Sequence, residues 1–251
     1  MKQVFIRVIL LEIIKSGIEG LDAMLYGGFP KEDQVMIAGG PGAGKTLIAF
    51  EYIYRNAKQG NKGIFFALEE DPKKIVQNAQ SAFSNLKDIG DLVDKGMIMI
   101  EGKDLLTTAL NKYDEAEFGF GRMVSEMESS ISESGATRVV IDSSSAFELV
   151  IKDPVLYRRS MWSLAANLRR LGVTTVFTSE TRNPDRKKLV FNSEHFIFDG
   201  MILMYQSGEA EKRIHTLEII KMRGHNHSFV TAPYEITPDG FKIFSPELML
   251  R

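Results

Sequence analysis

A glycine-rich segment carries the residues best suited to chemistry in this sequence. It reads GGPGAGKT and fits the spacing GxxxxGK[ST] at every fixed position. Glycines let the backbone wrap closely around phosphate oxygens, and a following helix directs its free N–H groups and positive dipole end at them. The lysine of such a segment reaches the β- and γ-phosphates, and the hydroxyl binds Mg²⁺. The predicted nucleotide-binding residues are Gly39, Gly40, Pro41, Gly42, Ala43, Gly44, Lys45, Thr46 and Leu47.

Phosphoryl transfer also needs acidic groups, one for the metal and one to orient water. Asp142 ends the apolar run RVVID, which predicts a carboxylate that holds Mg²⁺ together with Thr46. Glu69 and Glu70 follow the apolar run GIFFAL, and ligands of open α/β sheets lie at the carboxyl ends of strands. A glutamate there can polarise the attacking water. The alternative role of Asp142 is to cap the next turn. The alternative for Glu69 and Glu70 is an exposed pair at a strand end.

Alternating strands and helices must position these groups. Short apolar runs at residues 34–38, 63–68, 97–100, 138–142 and 174–179 predict strands. Helical spacing of apolar residues predicts helices between them, with Asp71 and Pro72 as a helix start. Continuous apolar strands that alternate with amphipathic helices indicate a parallel sheet covered on both faces. The sequence therefore predicts a single α/β domain.

The pattern changes after about residue 196. IFDGMILMYQ, RIHTLEIIKM, FVTAPYEI and FKIF are closely spaced strand candidates without a helical pattern between them. We expect antiparallel strands that complete one edge of the same sheet. The predicted domain spans residues 15–251, and residues 1–14 form an extension that reads as a first strand.

Bulk composition excludes several classes of protein. The 251 residues carry a net charge of −2, which gives no global basic field for nucleic acid or an anionic membrane. No cysteine is present, so disulfides, thiolate metal sites and a cysteine nucleophile are excluded. The apolar start of the chain is interrupted by Arg7 and Glu12 and is too short for a membrane helix. We expect a cytoplasmic protein without a membrane partner.

Five segments in order resemble the landmarks of a known group. GGPGAGKT, FFALEEDP, RVVIDSSSAF, VTTVFTSET and KMRGHNH are similar to those of RecA-fold ATPases, closest to the KaiC branch. KSGIEGLDAMLYGGFP resembles the entry segment of that family, so the resemblance runs from about residue 15 to residue 246. It implies a RecA-like fold with a mainly parallel central sheet, flanking helices and antiparallel strands at the C-terminal edge.

The resemblance also implies roles for individual residues. The first glutamate of the pair, Glu69, is the expected proton acceptor, with Glu70 as a helper. The family forms rings or filaments with ATP at subunit interfaces, and its K-x-R-G segment reaches the γ-phosphate bound by a neighbour. That segment matches Lys221 and Arg223, which implies a homo-oligomer completed in trans. From the strand pattern alone, both side chains could equally face solvent.

Further contacts follow from the resemblance. Ser81 matches a position near the adenine, and His227 and Thr237 match contacts contributed by the neighbour. Where relatives commonly have threonine and serine before that histidine, this chain has His225 and Asn226. The three serines after Asp142 are expected to make turn and sensor hydrogen bonds.

The sequence leads to three hypotheses about function. The leading hypothesis is an ATPase that binds ATP and Mg²⁺ and turns over slowly as an isolated subunit. The second is an ATP-sensing module, like a recombinase paralogue, that binds single-stranded DNA or a protein partner with little turnover. The candidate segment for DNA contact is RNPDRKK at residues 182–188, which is basic. It lacks an aromatic stacking platform, and its charges are also typical of a solvated surface segment. A small-molecule kinase is disfavoured, since no arginine-rich lid segment is found.

Overall fold

The structure is a computed structural model that describes residues 11–102, 116–181, 193–207 and 214–246. The strands are β1 (Ile13–Ile14), β2 (Phe29–Pro30), β3 (Gln34–Gly39), β4 (Gly63–Ala67), β5 (Ile98–Glu101), β6 (Arg138–Asp142), β7 (Thr174–Glu180), β8 (Gly200–Ser207), β9 (Ile214–Met222), β10 (Ala232–Thr237) and β11 (Gly240–Ile243). The α-helices are α1 (Glu19–Met24), α2 (Lys45–Lys58), α3 (Pro72–Ala82), α4 (Ile89–Asp94), α5 (Ala116–Ser134), α6 (Phe147–Val150) and α7 (Pro154–Arg170). Short 3₁₀ helices lie at Ser144–Ala146 and Ser193–Phe196.

The described strands form one nine-stranded sheet and a small hairpin. The order in the large sheet is β11-β10-β9-β8-β3-β7-β6-β4-β5. The six strands from β8 to β5 are parallel, and β9, β10 and β11 are antiparallel to their neighbours. The predicted α/β architecture with a mainly parallel sheet is therefore confirmed.

Both faces of the sheet are covered, which explains why its strands are apolar without alternation. In β3, Val35 and Ile37 pack into the core shared with α2 and α3, and Met36 and Ala38 pack into the core shared with α5 and α7. All six residues of β3 are buried. This buried central strand leads directly into the glycine-rich loop.

Two helices begin with the same N-cap arrangement. The Asp71 side chain accepts a hydrogen bond from the Lys73 N–H at the start of α3, and the Asp153 side chain accepts one from the Leu156 N–H at the start of α7. A proline follows each aspartate, and its fixed φ suits the first helical position. The predicted helix start at Asp71 is confirmed.

The strand β8 corrects one expectation. The four strand candidates after residue 196 were expected to be antiparallel, yet β8 is parallel to β3, with Val35 opposite Gly200 and Gly39 opposite Met204. The physical reason is that β8 pairs with β3 on the side opposite β7 and takes the same direction as these two strands. Among the described strands of the large sheet, β9, β10 and β11 are the antiparallel ones.

The small hairpin joins the N-terminal part of the chain to the domain. Ile13 and Ile14 in β1 pair with Pro30 and Phe29 in β2 of the same chain. Residues 1–10 of the predicted extension lie outside the described residues. None of the helices in the described ranges combines the length and the apolar character that crossing a bilayer requires.

Truncation of Phe177 should destabilise the central sheet. Its ring is fully buried in β7 and lies 4.8 Å from the Phe198 ring, centroid to centroid. We expect Phe177→Ala to lower the free energy of unfolding by about 3–5 kcal/mol, because it removes buried apolar surface and leaves a cavity. Phe229→Ala is the matched control, since that ring is 80% exposed, and should cost less than about 1 kcal/mol. Equal effects of the two variants in chemical denaturation would contradict this account of the core.

Candidate active site

The glycine-rich loop, residues 39–46, which we call the P-loop, joins β3 to α2. Gly42 and Gly44 have φ values of +77° and +87°, in the left-handed region that favours glycine. A Cβ on Gly44 would also lie 2.8 Å from Ile236 Cδ1. The first turn of α2 has no side-chain cap, so its N–H groups and the positive end of the helix dipole are directed at the loop. This geometry suits a phosphate group.

A strand far away in sequence holds the loop in place. The Tyr234 hydroxyl, from β10, donates a hydrogen bond to the carbonyl oxygen of Ala43 at 2.6 Å. Burial raises the pKa of Tyr234 above its usual value, which keeps the phenol protonated and able to donate. Lys45 Nζ donates to the carbonyl oxygen of Gly40 at 3.1 Å, so the lysine lies folded over its own loop.

Thr46 and Asp142 meet at this edge of the sheet, as the sequence predicted. The Thr46 hydroxyl donates to Asp142 Oδ2 at 2.8 Å, and the Thr178 hydroxyl donates to the other carboxylate oxygen. Burial raises the pKa of Asp142, and the two hydroxyl groups oppose that rise. A hydroxyl and a carboxylate side by side are the hard oxygen ligands that Mg²⁺ binds. The donor set therefore fits that ion.

The two glutamates after β4 occupy different environments. Ser143 Oγ donates to Glu69 Oε2 at 2.5 Å, which ties Glu69 to the residue that follows Asp142. Glu70 Oε2 instead accepts a long hydrogen bond, 3.4 Å, from Asn78 of α3. Of the pair, Glu69 is therefore the carboxylate oriented beside Asp142.

The other two serines after Asp142 also make hydrogen bonds that shape this edge. The Ser144 hydroxyl donates to the carbonyl oxygen of Thr178 at 2.9 Å, and Ser145 Oγ accepts from the Glu180 N–H at 3.0 Å. They connect the turn after β6 to the end of β7. Turn hydrogen bonds were the expectation for these serines.

Sequence reasoning missed Thr178 and Glu180, both in β7. Glu180 ends the strand opposite Gly39. Burial lowers the pKa of Lys45, and the negative charges of Glu180, Asp142 and Glu69 oppose that change, in that order. A hydroxyl inside an apolar strand and an acid at its end were the available signals. They became informative only when β7 was known to lie beside β3.

Lys221 and Arg223 lie at the end of the sheet where the parallel strands begin, which is opposite the end that carries the P-loop. Lys221 in β9 is opposite Met201, which is opposite Met36 in β3. The P-loop begins about 10 Å further along β3 from that point, given the rise of a strand. Because β9 runs against β3, its C-terminal end points away from the P-loop. The structure therefore does not bring these two cations to Lys45, Thr46 or Asp142 of the same chain.

Both cations contact the segment that precedes β8. Lys221 Nζ donates to the carbonyl oxygen of Phe198 at 2.7 Å, and Arg223 Nη2 donates to that of Phe196 at 2.6 Å. Burial and the nearby Arg223 lower the pKa of Lys221 to about 8, and Asp199 opposes that change. A β-bulge between Ile219 and Lys221 accompanies this arrangement. Arg223 is exposed, whereas Lys221 is half-buried.

The residues matched to further nucleotide contacts fall into two groups. Ser81 is exposed on the last turn of α3, and Asn85 just beyond donates its N–H to Pro238 O at 3.1 Å, in the turn that follows Thr237. Ser81 and Thr237 thus lie near each other in the same chain. His227 follows Arg223 and stacks on Phe229 with 4.9 Å between ring centroids. The basic segment at residues 182–188 lies outside the described residues.

Two carboxylates lie near the cations at the far edge. Asp199 Oδ2 accepts hydrogen bonds from the Gln34 N–H at 3.0 Å and from Arg169 Nη2 at 2.5 Å. Burial and the negative charge of Asp199 raise the pKa of Asp33 to about 7, and Arg169 and Arg223 oppose that rise. The pKa of Asp33 therefore lies close to neutral pH.

The chain is similar to known proteins over most of its length. Residues 14–248 match the protein family described as "ATPase: KaiC". The chain is 32% identical over 239 residues to the circadian clock oscillator protein KaiC of Acaryochloris marina, covering 92% of this chain and 44% of that protein. It is 30% identical over 250 residues to a UPF0273 protein of Aeropyrum pernix, covering 96% and 97%. The chain thus spans less than half the length of the KaiC proteins that it matches.

The stability of the fold should depend on the titration of Asp33. Its pKa in the folded state, about 7, exceeds the usual 3.8. The stability that depends on protonated Asp33 is therefore fully present below pH 3.8 and is lost as the pH rises through about 7. We expect Asp33→Asn, which mimics the protonated form, to gain on the wild type as the pH increases. The advantage should reach about 1–2 kcal/mol by about pH 8, after allowance for screening by solvent. Parallel pH curves for the two proteins in chemical denaturation would contradict the assignment.

Proposed function

This chain belongs to the KaiC family of ATPases, and from that premise we propose that it hydrolyses Mg²⁺-bound ATP with the help of a neighbouring copy. The P-loop binds the triphosphate, and Lys45 moves from the Gly40 carbonyl to the β- and γ-phosphates. Thr46 and Asp142 would hold Mg²⁺, which would supply the positive charge that neutralises the phosphates. The product pair is ADP and phosphate.

Glu69 acts as the proton acceptor for the attacking water in this proposal, and Glu70 assists. The hydrogen bond from Ser143 supports this choice, because it fixes the Glu69 carboxylate beside Asp142. A general base must be held within hydrogen-bond reach of the water whose proton it takes. The same contact favours hydrolysis over an ATP-sensing module with little turnover.

Lys221 and Arg223 of a neighbouring copy complete the site. The observation that carries this step is their position at the edge of the sheet opposite the P-loop of their own chain. Positive charge is needed at the γ-phosphate in the transition state, and a cation supplied in trans can contribute a large rate factor. Their side chains donate to the carbonyl oxygens of Phe198 and Phe196 in the single chain, so they exchange these contacts for the nucleotide on assembly.

Lys45→Ala should abolish tight ATP binding. Loss of a charged hydrogen-bond donor to the phosphates should weaken the affinity for Mg²⁺-bound ATP by roughly 100-fold in calorimetry. Lys58→Ala is the control, because that lysine lies at the other end of α2 and pairs with Asp88. Unchanged affinity in Lys45→Ala would refute the site.

Mixing two inactive variants should restore activity if the cations act in trans. Arg223→Ala should lower kcat by roughly 1,000-fold with a smaller effect on ATP affinity, and Glu69→Gln should also be inactive. In an equal mixture that exchanges subunits, about a quarter of interfaces combine an intact Glu69 with an intact Arg223. Steady-state hydrolysis should then recover to a comparable fraction of the wild-type rate. No recovery in a mixture whose subunits are shown to exchange would exclude completion in trans.

A further inference from the structure

Tyr234 in β10 contacts the P-loop although 191 residues separate it from Ala43 in the sequence. Its ring is buried and lies between two other rings, 5.3 Å from that of His215 and 5.5 Å from that of Phe241, centroid to centroid. A phenylalanine would supply the same apolar ring, so the packing of these rings does not require a hydroxyl group. The hydroxyl group adds the hydrogen bond to the carbonyl oxygen of Ala43, which is also buried.

The Ala43 carbonyl group belongs to the same peptide unit as the Gly44 N–H group. This peptide is trans, so its C=O and N–H groups point in opposite directions within one plane. The hydrogen bond fixes the carbonyl oxygen toward β10 and thereby directs the Gly44 N–H away from β10. Gly44 is the N-cap residue of α2, so this N–H lies beside the free N–H groups of the first helical turn.

Apolar side chains of β10 and β11 close one side of Gly44. A Cβ on this glycine would lie 2.8 Å from Ile236 Cδ1 and 3.1 Å from Phe241 Cζ. Gly44 is nevertheless only half-buried, so its open side is the one that faces away from these strands. The Gly44 N–H points to that side. Backbone N–H groups of a P-loop are donors to phosphates that ATP and ADP share.

The backbone of Gly44 would also tolerate the reverse orientation of this peptide. Its φ is +87°, and rotation of the peptide by half a turn would bring φ to about −90°, which glycine adopts equally readily. The reversed peptide would turn the Ala43 carbonyl oxygen toward the phosphate, where it would replace a hydrogen-bond donor by an acceptor. The conformational freedom of glycine therefore does not select the orientation that binds phosphate, whereas the hydrogen bond from Tyr234 does.

We propose that Tyr234 is a positioning residue for nucleotide binding, because it holds the Ala43–Gly44 peptide with its N–H directed at the phosphates. The inference rests on the proposed function, and it adds a residue outside the P-loop that sets the affinity for nucleotide. In the described part of the chain, the hydroxyl of Tyr234 donates to the loop and not to Glu69 or Asp142. Tyr234 therefore acts on binding and leaves the chemical step unchanged.

Tyr234→Phe tests the proposal because it removes the hydroxyl group and keeps the ring. In calorimetry with Mg²⁺, we expect a roughly tenfold weaker affinity for ATP and for ADP, since part of the variant then holds the reversed peptide. The two nucleotides should lose affinity by the same factor, because the loop N–H groups bind phosphates common to both. At saturating ATP, kcat should stay within about twofold of the wild-type value.

Tyr52→Phe is the matched control. Tyr52 is also buried, and its hydroxyl donates to the carbonyl oxygen of Thr174 at 3.2 Å. Thr174 begins β7, at the end of the sheet opposite the P-loop. Each variant thus loses one buried hydrogen bond to a backbone carbonyl group. Chemical denaturation should show a comparable loss of stability in both variants, whereas only Tyr234→Phe should lose affinity for nucleotide.

The possible failures separate this inference from the proposed function. Wild-type affinity in Tyr234→Phe, an equal loss of affinity in Tyr52→Phe, or a loss for ATP without a loss for ADP would overturn the role of Tyr234 and leave the proposed function intact. A lower kcat with unchanged affinity would overturn it in the same way. Absence of ATP and ADP binding by the wild type would overturn the proposed function, and the role of Tyr234 with it.

Discussion

Strand direction decides which charges can meet within one chain. The parallel strands β3, β4, β6 and β7 end at one edge, and this brings the P-loop, Glu69, Asp142 and Glu180 together. The antiparallel strand β9 ends at the other edge and carries Lys221 there. A change in side-chain conformation cannot reverse the direction of a strand. One copy can therefore bring the acids and Lys45 together, but not Lys221 and Arg223.

The site is held by contacts that make buried charge tolerable. Asp142 is only 8% exposed, yet two hydroxyl groups satisfy its oxygens. Lys45 loses hydration in the loop, and the surrounding carboxylates compensate for part of that loss. A buried charge without such partners would be costly. Lys45 and the carboxylates around it therefore form a site of mixed charge. Such a site suits a phosphate group that carries a metal cation.

Sequence reasoning succeeded where the signal is local and failed where it depends on sheet order. The P-loop, the strand that ends at Asp142 and the glutamates after β4 are each readable from a few adjacent residues. Thr178, Glu180 and Tyr234 act on those groups from strands that are distant in the sequence. The direction of β8 depends likewise on the strand with which it pairs. Spacing along the chain carries no information about which strands become neighbours.

The central claim is that one copy holds the nucleotide and another supplies the positive charge that completes the site. The most direct test is the steady-state rate of ATP hydrolysis per subunit over a wide range of protein concentration, with saturating ATP and Mg²⁺ and with the mass followed by light scattering. The account predicts a negligible rate per subunit where the chain is monomeric, and a rise to a plateau as it assembles. A constant rate per subunit down to concentrations at which only monomer is present would contradict it.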